Sequence, residues 1–297
     1  MSNPNLFKKR HAINSWLNLI LSVALVVCVF GSVVVNLLSN PTDIVQEVGI
    51  KTFRMFTVLS NMFVGITAAM SVPFAVDGIR YENYHLPRWI INLTYVSVTC
   101  ITLTFTITLF VLSPLAGFKQ MMLLGKNLFL HTIVPVVAIL SFLFINIYHN
   151  VKFRTTFLAL VPILLYAVVY IISAIVIGEE NGGWRDHYHF QELMPWYIMF
   201  VVIMVVSFGI AIFLRVVHNR MHQQDKKNAE LYYQTSLEYD LPTIEDVIIK
   251  LALEDRIKDK GGEVIVPRRI INILEKKYES GKSLSDLCYI YIEEYLK

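Results

Sequence analysis

Apolar residues come in long unbroken runs along this chain. Half-buried strands would alternate apolar and polar positions, and soluble helices would show a one-sided stripe. Six runs reach the roughly 20 residues that a helix needs to cross a hydrocarbon core of ~30 Å. They lie at 15–38, 52–76, 89–113, 127–147, 155–177 and 194–217. The pattern predicts an all-α fold built on a six-transmembrane-helix bundle, 1–220. "ITLTFTITLF" at 101–110 alternates, but the apolar run around it is too long for a barrel strand. Threonine hydroxyls there can bond carbonyls one turn back, so a helix tolerates them. Pro73, Pro87, Pro114 and Pro195 stand at predicted span ends, where they begin or terminate helices.

Beyond residue 220 the pattern changes. A linker at 221–240 leads into three amphipathic stretches at 241–297, predicting a C-terminal cytoplasmic small helical domain. Thr243 caps the first, with Asp246 three residues on; Gly261 and Gly262 break it, and Ser283 caps the last. Roughly 55 residues in three helices make a marginal core. The tail is therefore expected to dock on the membrane body, on a second copy, or on a cytoplasmic partner. It carries no catalytic motif.

Composition and charge sharpen this. The chain is 55% apolar, as an integral membrane protein should be. Residues 225–297 carry 12 basic and 15 acidic side chains against 14 and 8 before them, so a mildly basic body bears an acidic, water-soluble tail. "KKR" at 8–10 reads as a retained signal-anchor. With the N-terminus inside, the cytoplasmic segments collect most of the basic residues. This predicts cytoplasmic N- and C-termini and a multi-pass protein of the plasma membrane. Trp89, Trp184 and Trp196 fall at span ends, as interfacial aromatics do. Cys28 and Cys100 lie in spans and Cys288 in the tail, which leaves no disulfide framework or CxxC site. The expected surroundings are membrane and lipid, with no nucleic acid, no metal and no organic cofactor.

Chemistry concentrates at two places. "FTVLSN" at 56–61 puts Thr57, Ser60 and Asn61 on one helical face, inside an apolar run where hydrocarbon offers no hydrogen bonds. Thr57 is predicted roughly 8 Å and His131 roughly 6 Å below the same boundary. His131 is the ionisable residue lying well inside a run, and such a group needs a partner. Thr57 is the partner this reading names. Asn127 precedes His131 by one turn, and Pro135 follows it, depriving the His131 carbonyl of its helical donor. The chemistry open to such a cluster is acyl transfer. Neutral imidazole accepts the hydroxyl proton as oxygen attacks an ester carbonyl, then returns it to the leaving alkoxide. The Asn61 amide would steady the oxyanion, Ser60 is the reserve nucleophile, and Asn127 would support the cluster.

Other readings of the same residues stand beside this one. Hydroxyl and amide side chains join helices without any catalysis. His218 and His222, at i and i+4, share a helix face but are too few for a zinc site. Asp186 to His189, with Glu192, could cap a pocket or bind zinc, at a spacing that matches no motif. The hydroxyl-rich third span serves as packing or as the wall of a lipid slot. For the whole chain, the rival to an enzyme is a lipid-binding sensor or scaffold signalling through the tail. A transporter would want carboxylates or glycine-rich unwound helices at mid-membrane, which the runs lack.

"RMFTVLSNMFVGI" and "LHTIVPVVAIL" resemble the two signature segments of the androgen-induced-gene-one-like membrane proteins, bacterial branch. "LVPILLYAVVYIISAIVIG" resembles that family's fifth span, and the likeness covers roughly residues 10–215. Animal members are multi-pass threonine hydrolases of fatty acid esters of hydroxy fatty acids. The resemblance implies Thr57 as nucleophile and His131 as base, with such a lipid or fatty-acyl ester as substrate. Where the family has an aromatic-proline-phenylalanine segment before the last span, this chain has "RDHYHFQEL". Only Tyr188 and Phe190 echo the substrate rim.

Overall fold

The computed structural model describes residues 5–38, 49–80, 86–186, 188 and 195–238, with side chains from 13 to 224. His187, His189, Phe190 and the tail at 241–297 lie outside the described residues. Every regular element among the described residues is helical. The long ones, in chain order, are α1 (Asn5–Leu38), α2 (Phe56–Arg80), α3 (Arg88–Ala116), α4 (Leu128–Phe144), α5 (Phe153–Ile177) and α6 (Trp196–Glu238). A 3-10 turn, Gly49–Arg54, leads into α2. Among the described residues, five helices are long and apolar enough to cross a membrane, while α4 is apolar but shorter. It stops at Phe144, where the backbone N–H groups of Ile145 and Asn146 both fold back onto the Ser141 carbonyl. Residues 20–71 and 87–219 form one compact unit, which holds the candidate site; the remaining ends of α1, α2 and α6 belong to a second.

Two expectations shift. Pro73 does not end the second helix, which runs through it to Arg80. Residues 221–238, expected as linker, continue α6 without a break.

Burial separates the helices by role. In α3, 56% of the apolar window is buried, against 17% in α5 and in α6, so α3 is central and the other two face outward along most of their length. It packs on α4 and α5, and Tyr95 donates its phenolic hydrogen to the Ala211 carbonyl of α6 at 2.7 Å. Against α2 it is held by a hydroxyl seam. Ser60 meets Thr104 at 2.9 Å, and Thr67 meets Ser97 at 3.1 Å. The contact advances seven residues on α2 and retreats seven on α3, two turns each way, as antiparallel helices in register require. Gly65 lets α1 come close to α2, since a Cβ there would meet Val29 Cγ1 at 3.0 Å. Small and hydroxylated residues let membrane helices approach while satisfying their polar groups.

Candidate functional site

α3 and α4 both leave α-helical register where they face the site. α3 becomes a π-helix at Thr108–Leu112, just before Pro114, and α4 opens with one at Leu128–Ile133, just before Pro135. The cause in α4 is legible. Val134 N–H bonds the Phe129 carbonyl five residues back. The next bond in that register would run from Pro135 to Leu130, and proline has no N–H. The orphaned carbonyl is thus Leu130, one residue before the His131 carbonyl that α-helical register predicts.

Asn61 fills the gap. Its Nδ2 donates to Leu130 O at 3.1 Å and to Thr57 O at 2.7 Å, bringing the start of α2 and the proline bulge of α4 to one amide nitrogen. Both amide hydrogens are thereby committed to backbone carbonyls, so Asn61 does not present an oxyanion donor. Ser60 is likewise engaged, with Thr104 Oγ1 and with the Thr57 carbonyl at 3.1 Å. Asn127 lies away from this cluster and donates to the Gln120 carbonyl at 3.0 Å. Thus two of the three polar residues of "FTVLSN" join helices.

His131 is buried, and its Nδ1 lies 3.0 Å from the Thr108 hydroxyl. The sequence named Thr57 as its partner; the hydrogen bond runs to a threonine of α3 instead. Thr108 belongs to the hydroxyl-rich run read as packing or the wall of a lipid slot. Thr104 packs against Ser60, and Thr104, Thr106 and Thr108 border a cavity. Thr108 differs from its neighbours in bonding. Thr99, Thr102 and Thr106 each donate to the carbonyl four residues back, whereas the Thr108 hydroxyl turns to the imidazole.

The cavity measures about 450 Å³ and lies among the start of α2, the second half of α3, α5 and the first turns of α6. Its wall is largely apolar, with Thr57, Thr104, Thr106, Thr108 and three tyrosines as polar points, and none of its lining residues is charged. Phe110, Trp196 and Val202 line it and are themselves well exposed. In a membrane these residues would border lipid.

Thr57 is the second residue of α2, so it enters the site at a helix start and not five residues into a span. Its hydroxyl makes no hydrogen bond within 3.5 Å among the described residues, and the residue lines the cavity. Above it stands Tyr188, whose hydroxyl accepts from the Phe56 N–H at 3.0 Å, one of the donors that a helix start leaves unpaired. The rim residue of the sequence reading is therefore also a cap on α2. Tyr170 donates to Asp186 Oδ1 at 2.6 Å, and Tyr166 to the Arg54 carbonyl at 2.8 Å, which ties α5 to the loops at this end. Burial pushes the Tyr188 phenol above its ordinary range, so it remains a neutral hydroxyl.

Among the other candidate ligands, His218 is engaged. His218 has both ring nitrogens 3.0 Å from backbone carbonyls, of Phe142 and His149, and stacks on the Phe142 ring. Among the described residues, no group of three or more His, Cys, Asp or Glu is placed to hold a metal ion.

No family model, curated protein or solved structure matches this chain.

Proposed function

We propose that the chain is a membrane-embedded lipid-ester hydrolase in which His131 acts as base toward a threonine hydroxyl on the wall of an acyl-chain cavity. One observation carries this reading: a buried imidazole is hydrogen-bonded to Thr108 on the wall of a largely apolar cavity that Thr57 also lines. The volume falls in the range of small-molecule sites. A chain entering sideways past Phe110 and Val202 would leave its ester among the threonines. Thr57 is the proposed nucleophile. Among the described residues its hydroxyl is committed to no carbonyl, its backbone is tied to Leu130 beside His131, and it carries the family resemblance of "FTVLSN".

In the reaction, Thr57 Oγ1 bonds to the ester carbonyl carbon as its proton passes to neutral imidazole. The imidazolium returns that proton to the alkoxide as the ester C–O bond breaks. Water then adds to the acyl-threonine with the same base, releasing fatty acid and restoring Thr57. The cytoplasmic termini, the plasma membrane and a sixth crossing by α4 complete the proposal. The test is labelling of the purified chain by a fluorophosphonate. Wild type should label, while Thr57→Ala and His131→Ala should not, at unchanged thermal stability. Undiminished labelling of either variant would reject the dyad.

A second reading is a lipid-binding sensor without turnover. It is favoured by the engagement of Asn61 with two carbonyls and by the His131 hydrogen bond running to Thr108. Lipid that co-purifies with a well-folded chain, unhydrolysed and with no probe labelling, would decide for it.

A further inference from the structure

We infer that Thr108 is the positioning residue of His131: its hydroxyl accepts from Nδ1–H and so directs the Nε2 lone pair at the reacting hydroxyl. The inference rests on the hydrolase reading above. A histidine base needs its second nitrogen held, because the group on one nitrogen fixes the tautomer of the other. A carboxylate commonly does this, and none lies among the residues lining the cavity. The atom at hydrogen-bond distance from Nδ1 is Thr108 Oγ1, at 3.0 Å.

Three features set this hydroxyl apart from ordinary packing. First, Thr99, Thr102 and Thr106 of the same helix satisfy themselves on their own i−4 carbonyls, and Thr108 does not. Second, both partners stand in π-helical segments, each followed by a proline two residues after its end. Such bulges re-aim side chains and recur at functional sites. Third, Ser113 secures the bulge, its N–H and its hydroxyl (2.8 Å) both binding the Thr108 carbonyl. Backbone and side chain of Thr108 are therefore both fixed, which is what an orienting group requires.

The direction of the hydrogen bond matters. If the Thr108 hydroxyl donated to Nδ1, the hydrogen of neutral imidazole would sit on Nε2, leaving no lone pair for Thr57. If it accepts, Nε2 is the base and the Thr108 hydrogen turns into the cavity.

The test uses the full chain in detergent with p-nitrophenyl octanoate, comparing Thr108→Val and Thr108→Ser with wild type. Valine keeps the shape without the hydroxyl; serine keeps the hydroxyl. We expect Thr108→Val to lower kcat about 10²-fold at unchanged KM. Thr108→Ser should restore most of the rate. Nitrogen-15 NMR of the imidazoles, with His131→Gln to assign the signal, should show Nδ1–H in wild type and a shift toward Nε2–H in Thr108→Val. Undiminished kcat in Thr108→Val, or loss in Thr108→Ser equal to that in the valine variant, would overturn the inference. So would an Nε2–H tautomer in wild type, or mapping of the fluorophosphonate adduct to Thr108 itself; in these two cases ester hydrolysis survives with Thr108, not Thr57, as its nucleophile. Wild type that neither labels nor turns over ester would overturn both.

Discussion

Thr57, Ser60 and Asn61 look alike in sequence, and the structure gives them three different tasks. Ser60 answers a hydroxyl on α3, Asn61 answers a carbonyl that Pro135 leaves without a donor, and Thr57 faces a cavity. Asn61 should therefore matter for stability. Replacing it by Leu would leave the Leu130 carbonyl unpaired in an apolar site, at a cost of about 1–3 kcal/mol. A lowered melting temperature in detergent would show this, and an unchanged one would refute it. The Ser60–Thr104 pair should couple weakly. A double-mutant cycle of Ser60→Ala and Thr104→Val should return about 0.6 kcal/mol, the usual size for hydrogen bonds between membrane helices.

The informative features of the helices are where α-helical register fails. A proline two residues past a π-helical turn is legible as a break, but which carbonyl it orphans depends on the register adopted upstream. α-Helical register points to His131, whereas the observed bulge points to Leu130, and that carbonyl is why an asparagine faces it from α2. Restoring an N–H with Pro135→Ala should let α4 revert toward α-helical register and turn His131 out of line with Thr108. The expectation is a chain at least as stable as wild type whose ester turnover falls about 10²-fold, the scale of a catalytic group displaced by 1 Å. Turnover that stays at the wild-type rate would argue that the bulge has no part in aiming the ring.

At the scale of the molecule, the cavity sets what can be bound. Ala167 on α5 lines it, so Ala167→Phe should fill part of its volume. Under the hydrolase reading, KM should rise for octanoate and longer esters while acetate esters are hydrolysed as before. A uniform effect on all chain lengths would reject the cavity as the acyl site. The compact unit that holds the site comprises residues 20–71 and 87–219. Removing residues 239–297 should accordingly leave probe labelling intact; loss of labelling would assign the tail a part in the site.

Much of this was readable from side-chain order alone. The hydrocarbon-length runs specify apolar helices near their observed bounds, because backbone groups without water must bond within a helix. "FTVLSN" and His131 mark the neighbourhood of the cavity because polar groups in an apolar run need local partners. Which partner each finds is a property of the packed helices. The antiparallel register of α2 on α3 places Thr104 against Ser60, and the paired bulges place Thr108 against His131. Thr108 sits in a run of identical hydroxyls, and nothing local distinguishes it from Thr106 or Thr104. Only the approach of a second helix, carrying a ring nitrogen to within 3.0 Å, does so.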